Sequence, residues 1–234
     1  MESQNKRKPL RELGNILPCQ KYLQLVEKAP ELKSKKKIFF QKKFSERDEY
    51  CFVDRSVVKD CSICFISDKD NEWLYFLHLL LESILGRLML VDKVQNGDVK
   101  GSVTQKALKE FPVIDVSSDI IWAGAALDLT IHTIMRIMQE KEDALFLESA
   151  RNLMEELRDI FVMELYAKPL FEVNNIEIVN SLVKLRYDCS NENLNEVVPH
   201  LLKGITDPNS ELLSNIRRFR VLIGNMSNLL EQKK

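Results

Sequence analysis

Two cysteines with metal-ligand spacing stand in a short apolar run. Cys61 and Cys64 form a lone CxxC, and a zinc site needs four soft or imidazole ligands, which only Cys19, Cys51 or His78 could complete. Two cysteines three residues apart also arise easily by chance in a strand or turn. We therefore predict no metal and no cofactor.

Residues with the spacing of an enzyme active site are scarce. The chain has no Gly-rich dinucleotide loop, no phosphate loop ending in Gly-Lys-Ser/Thr, no HExxH and no GxSxG. His78 and His132 lie in helical apolar runs, which is typical of core or boundary histidines. Asp98 and Lys100 resemble half of a nuclease acid-x-Lys element, but such tripeptides are common by chance. The sequence predicts that the protein is not an enzyme, and a nuclease is the least favoured alternative.

Positive charge near the beginning of the chain is the sequence feature that says most about function. Residues 1–47 hold 13 Lys and Arg against 5 Glu, a net charge of +8. Clustered cations contact phosphates and supply much of nucleic-acid affinity through counterion release. The densest set surrounds three phenylalanines and consists of Lys33, Lys35, Lys36, Lys37, Lys42, Lys43 and Arg47. The same pattern is also typical of a solvated edge strand whose lysines oppose aggregation.

Charge is distributed unequally along the 234 residues. The net charge of −1 combines +5 over residues 1–112 with −6 over residues 113–234, which suggests different roles for the two halves. The polar, basic start of the chain has no apolar run behind it and predicts no signal peptide. The longest apolar stretch, residues 73–81, is too short for a membrane span. The chain has five cysteines, an odd number, and without an export signal they are predicted to be reduced thiols in the cytoplasm.

The elements that must position these residues change type along the chain. Short runs of β-branched and aromatic residues predict strands near residues 35–44, 50–53 and 62–66. Asp70 can cap a helix whose apolar residues recur at three- and four-residue steps to Leu88. A short helix over residues 105–110 and an extended exit at Pro112 follow. We predict an α+β protein with a mixed α/β domain over residues 1–116 and an all-α helical bundle over residues 117–234.

Three segments of the mixed domain form an ordered set of motifs. Residues 8–16 contain Leu13-Gly14-Asn15-Ile16, residues 71–86 form a leucine-rich helix that ends in Ser83 and Gly86, and residues 101–113 combine a Gly-Ser turn, a short Lys-rich helix and a Pro-containing exit. This ordered set resembles the target-recognition domain of a type I restriction–modification specificity subunit. The corresponding motifs of that family are an opening x-Leu-Gly-x-Ile segment, a helix of the form Tyr-Leu-x-x-x-Leu-x-Ser-x-x-Gly, and a Gly-Ser/Thr turn followed by a short Lys-rich helix and a Pro-containing exit.

The resemblance implies a DNA-reading module that breaks no bonds itself. Such a subunit reads bases of double-stranded DNA in the major groove while lysines hold phosphates. The lysine-rich set would face phosphates. A second contact would be formed by Gly101, Ser102, Thr104 and Lys106, because a helix N-terminus with small residues admits a phosphate closely. That turn is also typical of an ordinary helix cap.

The helical half would then join proteins together. In the family, helices hold the recognition domain against a DNA methyltransferase subunit that uses S-adenosylmethionine. Apolar stripes at 4-3 spacing over residues 143–166 and 209–230 could seat a partner helix or a second copy, or could pack on each other. The chain could be a half-subunit that dimerises, a solitary recognition module, or a relative with another role. The rival hypothesis is a helical interaction scaffold or regulator without a nucleic-acid role.

Overall fold

The structure is a computed structural model that describes residues 6–33, 37–41, 51–53, 61–95, 103–140, 145–188 and 194–231. The chain divides into two compact units, an N-terminal unit of residues 1–117 and a C-terminal unit of residues 118–234. The first combines small antiparallel sheets with helices, and the described part of the second is helical. The predicted α+β fold class is therefore confirmed.

A four-stranded antiparallel sheet lies at the centre of the N-terminal unit, with the strand order β2-β5-β3-β4. A second sheet pairs β1 with β6. The strands are β1 (Arg7–Pro9), β2 (Asn15–Pro18), β3 (Lys37–Gln41), β4 (Cys51–Val53), β5 (Cys61–Ile66) and β6 (Pro112–Ile114). The helices are α1 (Cys19–Lys28), α2 (Asn71–Glu82), α3 (Ile84–Gln95) and α4 (Gln105–Lys109). The sequence interpretation did not include α1.

Both faces of the four-stranded sheet are covered. Phe39 pairs with Cys64 across β3 and β5, and Tyr22 of α1 contacts Phe39 with ring centroids 5.7 Å apart. Phe65 points to the opposite face because side chains alternate along a strand, and it contacts Trp73 of α2 at 6.1 Å. The sheet is thus the middle layer of three.

The position of β3 corrects one sequence interpretation. The sequence pattern favours a strand with a solvated edge for the lysine-flanked run, but β3 pairs with β4 on one side and with β5 on the other. Ile38, Phe39 and Phe40 are all buried. The strand is apolar on both faces because each face is covered by a helix.

A sharp bend interrupts the helix that the sequence predicts as continuous from Asp70 to Leu88. Asp70 caps α2 as predicted, since its Oδ1 accepts a hydrogen bond from the Trp73 N–H at 2.8 Å. The chain then turns by 73° between α2 and α3. Ser83 has extended backbone angles at the bend, and its Oγ accepts a hydrogen bond from the Gly86 N–H at 3.0 Å.

Gly86 is required by this bend. A Cβ atom at this position would lie 1.9 Å from the carbonyl oxygen of Leu80. Beside it, the guanidinium of Arg87 donates to the carboxylate of Glu82, which is 2% exposed. The Ser-x-x-Gly spacing therefore has a structural reason, namely one capping hydroxyl and one residue without a side chain.

The C-terminal unit contains six helices among its described residues. They are α5 (Ser118–Glu140), α6 (Leu145–Tyr166), α7 (Lys168–Val173), α8 (Ile178–Asp188), α9 (Leu194–Thr206) and α10 (Glu211–Glu231). The sequence predicts one helix over residues 172–187, but a turn at Asn175, whose φ is +52°, separates α7 from α8. Phe219 of α10 stacks on Phe171 of α7 with ring centroids 5.6 Å apart.

Among the described residues, one single helix is apolar enough to cross a membrane by length and composition. Residues 118–138 of α5 meet this test, and 56% of the tested stretch is buried inside the protein. The sequence predicts no membrane span here because Asp119 and Asp128 interrupt the apolar run. Such burial is usual for the core helix of a soluble protein, which passes the same test.

Candidate nucleic-acid interface

Most of the predicted phosphate contacts lie outside the described residues. This holds for Lys35, Lys36, Lys42, Lys43, Arg47, Gly101 and Ser102. For Lys33 the backbone is described, at the end of a 3₁₀ turn, but not the side chain. The structure gives full positions for Lys37, Thr104 and Lys106.

Lys37 is not at the surface that the charge pattern predicts. It is 3% exposed, opposite Ile66 and on the same face of the sheet as Phe39. This face is covered by α1, so a phosphate cannot reach the ammonium group from solvent. We therefore leave Lys37 out of the candidate interface.

Thr104 caps α4. Its Oγ1 accepts a hydrogen bond from the Ala107 N–H at 3.1 Å, which uses one of the backbone donors that a phosphate would need. The helix has only five residues, and Gln105 ties it to β2 by donating to the Ile16 carbonyl at 2.6 Å. The geometry therefore fits the ordinary helix cap.

Two distant segments that carry exposed cations are joined next to α4. Strand β1 pairs with β6, which directly follows α4, and the Leu10 N–H donates to the Phe111 carbonyl at 2.9 Å. These contacts assemble a group that we call the basic strip. It consists of Lys6, Arg7, Lys8, Arg11, Lys106 and Lys109, all exposed.

The basic strip carries a net positive charge after its acidic neighbours are counted. Lys8 pairs with Asp115 at 2.9 Å, and Arg11 pairs with Glu110. All four side chains are about half exposed, and such surface pairs contribute only about 0–1 kcal/mol each. A phosphate can therefore compete with either carboxylate. With the exposed Glu12 also counted, six cations face three carboxylates, a net charge of +3.

Three strip lysines have no ion-pair partner among the described residues. Lys6, Lys106 and Lys109 make no ion pair there, and Lys106 and Lys109 are three residues apart on one side of α4. The sequence analysis included only Lys106 in its site. The run Lys6-Arg7-Lys8 is visible in the sequence as a local cluster of positive charge. Only the β1–β6 pairing, however, brings this run beside α4.

The cysteines correct a second sequence interpretation. Cys19 is disulfide-bonded, so the prediction that all five cysteines are reduced thiols is wrong for this residue. Cys64 is a free thiol, and burial raises its pKa to about 12, against a smaller lowering effect of the charge on Lys37. A thiol with this pKa is almost fully protonated at neutral pH and is therefore a poor nucleophile.

The structure places the three histidines but not the nuclease-like tripeptide. His78 is buried within α2. His132 lies one helical turn from Asp128 on α5, with 3.5 Å between Nε2 and the carboxylate oxygen. His200 is exposed on α9. Asp98 and Lys100 lie outside the described residues.

No family model, curated protein or solved structure matches the chain. The similarity to specificity subunits therefore rests on the sequence motifs alone.

Proposed function

We propose that the N-terminal unit is a non-catalytic DNA-recognition module of the restriction–modification specificity kind, acting in the cytoplasm. The basic strip is the observation that carries the proposal. Six exposed cations gathered from residues 6–11 and 106–109 provide phosphate contacts in a unit whose opening 47 residues already carry a charge of +8.

The strip has the features of a backbone-positioning surface. Its lysines and arginines are solvated, and their carboxylate partners are exposed and exchangeable. Phosphate contacts of this type fix the register and orientation of a protein on the duplex, and sequence is read separately from base edges. We assign positioning to the basic strip, and we do not assign base-reading residues.

The C-terminal unit supports a protein-docking role in the same proposal. Along the apolar stripe of α10, Leu212 and Ile216 are buried, whereas Ile223 and Met226 are 45% and 43% exposed. The stripe thus continues past the packed part of the bundle. A methyltransferase subunit would use this end of α10, or a second copy of the chain would do so.

The test is salt-dependent binding of a mixed-sequence DNA duplex to the full chain and to a Lys106→Gln/Lys109→Gln double variant. The control is Lys21→Gln/Lys28→Gln, which removes two exposed lysines of α1 outside the strip. Each lost phosphate contact lowers the slope of log affinity against log salt by about 0.9. We expect a slope reduced by about 2 in the α4 variant, and a ratio of wild-type to variant affinity that falls about tenfold between roughly 50 and 200 mM salt.

The rival function is a helical interaction scaffold. The exposed end of the α10 stripe and the charge of −6 over residues 113–234 favour it. Absence of DNA retention by the wild-type chain at roughly 50 mM salt would decide for the scaffold. Equal losses in the α4 and α1 variants would remove the basic strip from the interface.

A further inference from the structure

Two ion pairs connect cations at the beginning of the chain with carboxylates on either side of β6. Nζ of Lys8 lies 2.9 Å from Oδ2 of Asp115, and Nη1 of Arg11 donates to Oε1 of Glu110. The partners are 107 and 99 residues apart in the sequence, and all four side chains are about half exposed. Neither cation makes another ion pair among the described residues.

The backbone holds both carboxylates near their cations. The Asp115 N–H donates to the Lys6 carbonyl at 2.8 Å, directly after the β1–β6 pairing. Glu110 precedes Phe111, whose carbonyl accepts from the Leu10 N–H at 2.9 Å, and the Leu10 side chain is fully buried. Each carboxylate therefore remains close to its cation when the ion pair opens, which gives it a high effective concentration there.

We propose that Glu110 and Asp115 are tethered competitors of DNA phosphates that lower the affinity of the basic strip for the DNA backbone. The inference rests on the proposed function, because it assigns a regulation to the same surface. Binding exchanges one carboxylate oxygen for one phosphate oxygen and changes no covalent bond. Lys8 has three N–H donors and Arg11 has five, so a phosphate oxygen can bind a second donor before the carboxylate leaves.

The competition acts on binding that depends on phosphates alone. Phosphate contacts position a protein on the duplex, whereas base contacts carry the sequence information. The electrostatic contribution supplies essentially all of non-specific binding, so weakening it shortens the time that the protein spends on unrelated DNA. The two carboxylates thereby favour complexes in which base contacts add affinity.

The test is a pair of double-mutant cycles in the full chain, measured as affinity for a mixed-sequence DNA duplex at roughly 50 and 300 mM salt. Asp115→Asn is combined with Lys8→Gln, and Glu110→Gln is combined with Arg11→Gln. The matched control is Glu12→Gln, because Glu12 is exposed and follows Arg11 in the chain but makes no ion pair among the described residues. Circular dichroism verifies that each variant is folded.

We expect Asp115→Asn and Glu110→Gln each to tighten binding by about two- to fivefold at the lower salt concentration. Most of this gain should disappear at the higher concentration, where the ion pairs are screened. The gain from Asp115→Asn should vanish in the Lys8→Gln background, since no cation remains for which the carboxylate competes. The gain from Glu110→Gln should vanish in the Arg11→Gln background for the same reason.

Glu12→Gln separates competition from general repulsion. We expect it to give a smaller gain that persists without Lys8 or Arg11. Gains as large as those of the paired carboxylates, or gains of the paired variants that persist without their cations, would show that only net charge matters and would overturn the competition. Wild-type binding without any gain in the single variants removes this inference alone. Absence of duplex retention by the wild type and by both carboxylate variants removes the proposed function as well.

Discussion

Glu164 is a buried carboxylate that should make the stability of the C-terminal unit depend on pH. It is 8% exposed on α6, and its Oε2 accepts a hydrogen bond from the Val179 N–H at 2.9 Å, at the start of α8. Its pKa is raised from 4.5 to about 7, mainly by burial and to a smaller extent by the charge on Glu177. The backbone N–H groups of α8 and the charge on Lys168 oppose this rise.

The sign follows from the higher pKa in the folded state. The stability linked to Glu164 is fully present below about pH 4.5, where the group is protonated in both states, and is lost as pH rises through about 7. A pKa raised from 4.5 to about 7 corresponds to about 3 kcal/mol between roughly pH 4 and pH 8, at about 1.4 kcal/mol per pH unit. Glu164→Gln keeps an acceptor for the Val179 N–H but does not titrate.

The assay is urea unfolding across this pH range in a Trp73→Phe background. Trp122 then remains as the single tryptophan, buried in α5 of the C-terminal unit. We expect the free energy of unfolding of Glu164→Gln to rise by about 3 kcal/mol relative to its parent between roughly pH 4 and pH 8. Glu172→Gln, the same change at an exposed site of α7, serves as the control. Parallel pH curves for Glu164→Gln and its parent would refute the assignment.

Three further substitutions test the local geometry. Gly86→Ala should destabilise the N-terminal unit by more than about 2 kcal/mol, because its Cβ would meet the Leu80 carbonyl at 1.9 Å. Gly224→Ala should instead stabilise the C-terminal unit by about 0.5–1 kcal/mol, since nothing lies within 4 Å of the added Cβ inside α10. If the denaturant midpoints of both glycine variants moved in the same direction, this contrast would be contradicted. Asp70→Ala removes the acceptor for the Trp73 N–H and should cost about 1 kcal/mol in urea unfolding followed by Trp73 fluorescence, and an unchanged midpoint would show that the cap is energetically silent.

Helix formation was readable from the sequence wherever the signal was local. The apolar periodicity of α5, α6 and α10 and the cap at Asp70 need only residues within a few turns of one another. The sequence did not predict the bend at Ser83 because the helical spacing of the leucines continues through this position. At the bend, the Ser83 hydroxyl donates to the Leu80 carbonyl and accepts from the Gly86 N–H, so it caps the start of α3.

The positive charge of the candidate site could be predicted from the sequence, but the residues that form the site could not. Counting lysines identified a basic beginning of the chain, and it assigned Lys37 to the surface along with its neighbours. Lys37 is buried because α1 covers one face of β3. No local sequence pattern predicts this contact between α1 and β3. Lys109 was passed over because its neighbours in the strip lie about a hundred residues earlier.

The sequence by itself determined the fold class, most helices and the uneven distribution of charge, because periodicity, capping and composition are properties of short segments. Only the tertiary structure decided which charged segments lie next to each other, which strand is central and which cysteine is oxidised. Those outcomes depend on the pairing of β1 with β6 and of β2 with β5, contacts between residues about 50 to 100 positions apart whose register no short segment encodes.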